Sequence, residues 1–196
     1  MKPTTTPLLG YALLGLLNQK PSSGYELRKT FAETAMGNYS SSPGAIYPAL
    51  ARLEFSKLIV GKVEEAGGLR RRRVYRISAQ GAARLKLWLA KPIQPKDVTR
   101  GAGELMLRFS FMEQALGPAK CVWFLTNFRT TLSPYIAVLE AFLANNGAGM
   151  PLSARLAVDS GIRGYRALYD WTDHALQAYR GLQSAKSSKP SKGGRP

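Results

Sequence analysis

Four successive arginines, Arg70, Arg71, Arg72 and Arg73, are the densest block of one chemistry in the chain. A guanidinium is a flat fork of donors that fits a phosphate with two parallel bonds, so the block points to a polyanion rather than to a reacting centre. A second group stands upstream: Ser41, Ser42, Pro43, Gly44, Tyr47 and Arg52. Serine followed by proline marks a helix start. The free amides and hydroxyls of such a start can hold phosphate oxygens, helped by the positive end of the helix dipole. Gly44 lets a partner come close to the backbone, Tyr47 one turn on can donate its hydroxyl to a phosphate or a base, and Arg52 is long enough to reach a phosphate backbone. A charge run can also be a strand edge kept basic to block edge pairing. The place of these arginines, between a recognition-type helix and the next helix, favours the phosphate reading.

Other reactive residue types are scarce. The chain has one histidine, His174, and one cysteine, Cys121, which leaves no internal disulfide, no cysteine or histidine metal site and no nucleophile with a plausible base. No glycine-rich phosphate loop occurs, so neither an enzyme nor a cofactor is expected. Cys121 reads as a small buried hydrophobe and His174, beside Asp173, as a surface or interface residue. Trp123, Phe124, Phe128 and Trp171 have two readings: the lining of a pocket for a small aromatic effector, or core and interface packing.

The formal net charge is +16, and its distribution is uneven. Residues 1–95 hold 15 Lys/Arg against 5 Asp/Glu, residues 96–185 hold 9 against 7, and the last eleven hold 4 against none. Self-repulsion of that size is tolerated when the partner is a polyanion, so nucleic-acid contacts belong at the two ends and the middle has another task. No apolar run reaches the roughly 18 residues of a membrane span, and the opening residues carry no secretory pattern. A reducing cytoplasm is the expected compartment.

The elements that would hold these groups follow from periodicity. Thr6 and Pro7 read as cap and first turn of a helix on which Leu8, Leu9, Ala12, Leu13, Leu16 and Leu17 repeat at helical spacing. A turn at Pro21–Gly24 leads to a short amphipathic helix with Tyr25, Leu27 and Phe31. The helix from Pro43 follows, with Ile46, Leu50 and Leu53 on one face. Residues 59–63 and 70–77 read as a hairpin, and Ser78 caps a fourth helix that ends at Lys91–Pro95. Three helices and a basic hairpin are the order of a winged helix-turn-helix.

The fold class expected is therefore mainly α with a small β-hairpin: a winged helix-turn-helix DNA-binding domain over 1–92, a helical dimerisation and possible effector domain over 100–184, and a basic disordered tail over 185–196. In the last helix Val158, Ile162, Tyr165, Tyr169, Thr172, Leu176 and Tyr179 alternate steps of four and three, the spacing of a coiled-coil seam. A seam needs a partner, which makes a homodimer the expectation, with two heads about 34 Å apart, one turn of DNA.

Three motifs carry a family resemblance. They are Ser23–Leu27, reading SGYEL; Ser42–Leu50, reading SPGAIYPAL, with Leu53 and Glu54; and Arg73–Ser78, reading RVYRIS, with Gly81. The sequence resembles the PadR family of transcriptional regulators, closely over residues 8 to 90 and more loosely beyond, where Gly161 and Trp171 match the longer-tailed subfamily. The resemblance implies a homodimer on a pseudo-palindromic operator in double-stranded DNA, usually a repressor, in some members released by small aromatic compounds. Two positions depart from the pattern. Ser23 stands where histidine is common, and Lys57 where glycine usually follows the recognition helix. Lys57 implies a different cap or a left-handed lysine costing about 1 kcal/mol. The alternatives are a non-specific basic nucleic-acid-binding protein and an activator of the same fold.

Overall fold

The apolar repeat of the first helix folds as read, but its cap does not. Helix α1 runs Leu8–Gln19 with Pro7, not Thr6, at the N-cap, and no side chain caps it. The chain is described here from a computed structural model over residues 6–34, 36, 42–66, 70–99 and 102–187. Strand β1 (Ser22–Ser23), helix α2 (Gly24–Glu33) and helix α3 (Pro43–Phe55) come next. The wing is β2 (Ile59–Ala66) with β3 (Arg70–Ile77), followed by α4 (Ala79–Leu89), α5 (Pro95–Thr99), α6 (Gly103–Leu116), α7 (Pro118–Asn146), a 3-10 turn at Gly147–Gly149 and α8 (Leu152–Ser187). The fold is mainly helical with one small antiparallel sheet, a winged helix-turn-helix followed by further helices.

The sheet has three strands in the order β1-β3-β2. Ser22 and Ser23, read from sequence as part of a turn, pair with Tyr75 and Val74. Two serines carry no strand signal of their own. The pairing is imposed by β3, whose inner edge would otherwise leave backbone groups unmet.

The chain divides into two compact units, one formed by residues 1–91 with 103–117 and the other by 92–102 with 118–196. A boundary at residue 92 therefore misassigns α6. Leu13, Leu14, Leu27, Phe31, Ile46, Leu50, Ile59, Leu85 and Leu89 form a core with essentially no exposed surface. Helix α6 completes that unit with Leu105, Leu107, Phe111 and Met112, all buried. A methyl group on Gly15 of α1 would fall 2.4 Å from the Phe111 ring, so α1 accepts that ring only through glycine. Trp88 stacks on Tyr11 at 4.5 Å and donates its indole N–H to Glu104 at 3.1 Å. Arg108, only 3% exposed, donates to the carbonyls of Leu89 and Lys91 where α4 ends. These last carbonyls of a helix have no partner within it, and a cation there also meets the negative end of the dipole. A helix apolar nearly all round is one buried on more than one side.

In the other unit α7 and α8 pack as a helical pair. Tyr135 meets Tyr165 edge to face at 4.9 Å, and Arg129 bonds Asp173 and Arg166 bonds Glu140, both at 2.7 Å. Ile162, Thr172 and Leu176 of the expected dimer seam are buried within the single chain, and Val158, Tyr165, Tyr169 and Tyr179 are half-buried. The seam's four-three spacing is thus satisfied by α7, whose pairing with α8 an isolated sequence pattern cannot distinguish from a second copy. Phe124 and Phe128 are fully buried, 6.2 Å apart, whereas Trp123 and Trp171 are half-buried. Cys121 is buried and His174 exposed. Residues 188–196, most of the expected tail, lie outside the described residues.

One backbone feature answers the departure at Lys57: it has φ 58, the left-handed conformation, directly after α3. A Cβ there is strained. Replacing Lys57 by glycine should stabilise the fold by about 1 kcal/mol, read as a higher midpoint in urea unfolding with an unchanged slope.

Candidate nucleic-acid interface

Helix α3 begins as its serine and proline require. Ser42 is extended (φ −68, ψ 130), and its hydroxyl oxygen accepts from the Gly44 amide at 3.2 Å. Ser42 is therefore occupied in capping its own helix, a use that the phosphate reading did not assign to it. Ser41 lies outside the described residues. Gly44 is exposed, and a methyl group there would meet only Ser42 Oγ, at an ordinary 3.5 Å. Nothing among the described residues demands glycine at that point. Tyr47 is 46% exposed, one turn further along, and Arg52 is exposed near the helix end. Gly44, Tyr47 and Arg52 thus leave accessible surface on a helix whose other face carries Ile46, Leu50 and Leu53 into the core.

The four arginines of β3 separate into different roles. The register sets Arg70 opposite Ala66, Arg71 opposite Glu65, Arg72 opposite Glu64 and Arg73 opposite Val63. Arg73 reaches Glu54 of α3, its Nη2 donating to the carboxylate at 2.7 Å. The same carboxylate oxygen accepts from the Gly61 amide of β2 at 2.9 Å. A Cβ on Gly61 would stand 2.5 Å from Arg73 Nε and 2.8 Å from Glu54 Oε1, so a larger residue there would make those two side chains shift. Arg72 lies 3.4 Å from Glu26 of α2. Arg71 is exposed and has no ion pair among the described residues, and the side chain of Arg70 lies outside them.

Glu26 does further work at the start of α2. Ser23 caps that helix, its Oγ accepting from the Glu26 amide at 3.3 Å, while Glu26 Oε2 accepts from the Ser23 amide at 2.7 Å. This reciprocal pair is a capping box. It gives Ser23 a structural reason to stand where the family pattern commonly has histidine. The Ser23 bonds, then Arg72, hold the Glu26 carboxyl below the usual glutamate range. The bond from Arg73 does the same for Glu54. Two adjacent arginines of the wing are thus buckled to helices through carboxylates.

Two exposed groups beside the interface carried no assignment in the sequence. Tyr25 on α2 is exposed with the Arg28 guanidinium 5.4 Å from its ring, and Arg76 of β3 pairs with Glu64 at 3.1 Å. Tyr25 stood within a family motif, and no feature of composition or spacing marked its side as open.

Comparison with known proteins adds kinship to this geometry. Residues 13–87 match the model of the Transcriptional regulator PadR-like family. "Transcriptional regulator YqjI" of Escherichia coli is 32% identical over 120 residues, 58% of this chain and 54% of that protein, so the chain spans about half the length of that relative. A Mycobacterium tuberculosis protein named "Probable transcriptional regulator Rv1176c" is 26% identical over 182 residues, 87% of this chain and 96% of that one. Among solved structures, Bacillus subtilis PadR in complex with operator DNA is 22% identical with a TM-score of 0.42, covering 89% of this chain and 99% of that one. The same protein in complex with p-coumaric acid is 21% identical with a TM-score of 0.40, covering 89% and 99%. Among the described residues, no helix is long and apolar enough to cross a membrane.

The Glu54 buckle makes a prediction for pH. Its folded pKa is lowered, so its contribution to stability is complete above the unfolded value of about 4.3 and is lost as pH falls through the lower folded value. Glu54→Gln should lower the melting temperature by a few degrees at pH 7 and should flatten its fall on acidification, measured by circular dichroism from pH 7 to pH 3. Parallel acid profiles for the two proteins would dismiss the buckle.

Proposed function

We propose that this chain, whose residues 13–87 match the model of the PadR-like family of transcriptional regulators, binds a pseudo-palindromic operator in duplex DNA as a homodimer and represses transcription there. The observation that carries the reading is the outer face of α3. Gly44 is exposed with no described neighbour that demands glycine, and Tyr47 stands accessible one turn on. In helix-turn-helix proteins the second helix of the motif lies in the major groove and reads base edges from its N-terminal residues. Arg71 at the wing, together with Arg70, supplies the sequence-independent grip on phosphate or minor groove. Arg72 and Arg73, already held by glutamates, set where the wing stands and make weaker phosphate ligands than their number suggests.

The dimer is carried by a different stripe of α8 from the seam first read. Ala157, Gly161, Gly164, Leu168 and Trp171 keep a four-three spacing of their own, one residue before the stripe that α7 covers. A Cβ on Gly161 or on Gly164 would meet nothing within 4 Å. Glycine inside a helix costs about 1 kcal/mol against alanine. Gly161 and Gly164, which meet no neighbour among the described residues, would let a second helix approach closely. Release by a small aromatic compound rests on the family resemblance, and Trp123 and Trp171 are the members of the aromatic set that keep surface to offer it.

Two experiments test this. In fluorescence anisotropy on the DNA upstream of the protein's own gene and on random duplex, Arg71→Ala should weaken both and reduce the salt slope by about one. Gly44→Ala and Tyr47→Phe should instead narrow the gap between the two DNAs. Equal losses on both DNAs for all three would favour a non-specific basic binder. In sedimentation velocity, the double change Gly161→Leu with Gly164→Leu should give a monomer of undiminished helix content. A surviving dimer would remove α8's outer stripe from the interface.

A further inference from the structure

A cleft of about 630 Å³ opens in the first unit between the first turn of α1, the end of α3 and the start of α4. Pockets for small molecules commonly enclose about 300–1,000 Å³. Its apolar wall includes Pro7, Leu9, Leu53, Leu58 and Phe55. Leu53 and Leu58 belong to the core, but Phe55 is 91% exposed, more than any other large apolar side chain described. Among the described residues three cations line the same cleft, Arg52, Lys57 and Arg84, and no carboxylate does. None of the three has an ion pair among the described residues, and neighbouring Glu54 is committed to Gly61 and Arg73.

These two linings narrow the ligand. A bare phosphate would satisfy the cations and leave the apolar wall wet. A neutral apolar molecule would cover the wall and strip water from three charges without compensating them. We propose that the cleft binds a small amphiphilic anion, a carboxylate or sulfonate carried on an apolar body, with its charge among Arg52, Lys57 and Arg84 and its body against Phe55 and Leu58. Arg84 is half-buried, where attraction to an anion is screened less than at the open surface. Its guanidinium can take a carboxylate through two bonds. Lys57 projects from the left-handed turn that ends α3. The inference does not rest on DNA binding. Arg52 is the one residue common to this cleft and to the DNA contacts expected from sequence, so the test uses the other two cations.

The full-length protein is titrated with decanoate by calorimetry and with 8-anilinonaphthalene-1-sulfonate by fluorescence. Saturable binding of both is expected, with decanoate displacing the dye. Lys57→Gly, a change that relieves backbone strain, and Arg84→Gln should each weaken decanoate binding by about tenfold, the scale of one charge-assisted contact. Binding of neutral decanol should be the same in wild type and both variants. Absence of saturable binding to the wild type, or equal decanoate affinity in all three proteins, would overturn the proposal. So would a Phe55→Ser variant that sediments as a smaller species yet binds decanoate unchanged, because that result gives the face to a second copy of the chain.

Discussion

Glu54 stands at the last turn of α3 and accepts, on one carboxylate oxygen, a backbone amide of β2 and a guanidinium of β3. The candidate interface depends on this contact, because it fixes the wing relative to the helix that would enter a groove. A two-stranded ribbon alone is marginal in water, and long basic side chains at its tip repel one another. The carboxylate gives the ribbon a position, and the glycine at position 61 gives the carboxylate room. On the opposite edge, the two serines of β1 and the Glu26 capping box hold β3 from the other side. Acidic residues are few in this half of the chain, and two of the five are spent where the wing meets the helices.

Much of the architecture was legible because local periodicity and tertiary demand agree. The leucines of α1, the Ser42–Pro43 start of α3, the Ser78 cap of α4 and the alternation of β3 each state their own structure. The failures occur where structure is set from elsewhere in the chain. Ser22 and Ser23 become a strand because β3 has an unmet edge. Helix α6 joins the first unit because α1 has a glycine where Phe111 must lie, and because Arg108 fits the end of α4. Neither fact is visible in a window of eleven residues.

The candidate site was legible at a coarser level than its chemistry. Residue types and order located the α3 face and the wing, and Gly44, Tyr47 and Arg71 stand open to a partner. In sequence Arg70 to Arg73 form one block, whereas pairing with Glu26 and Glu54 makes Arg72 and Arg73 partly structural. A charge run in sequence says how many cations are near one another and nothing of what neutralises them. The seam of α8 shows the same limit. A four-three repeat specifies a helical neighbour, and only the fold says that the neighbour is α7 of the same chain.

The allegiance of α6 bears on how this protein could have been assembled and how it could be taken apart. The chain leaves the first unit after residue 91, returns at 103 and leaves again after 117. The units are stitched rather than strung. A single cut in the proline-rich stretch near residue 92 would carry off Phe111 and Arg108 with the wrong piece, leaving an open groove along α1 and uncapped carbonyls on α4. Recombination at that stretch, which looks like a linker by composition, would yield an incomplete head. The smallest piece that keeps the first unit whole is residues 1–117, with residues 92–102 carried along as an excursion, so a joint that spares this unit lies beyond Gly117.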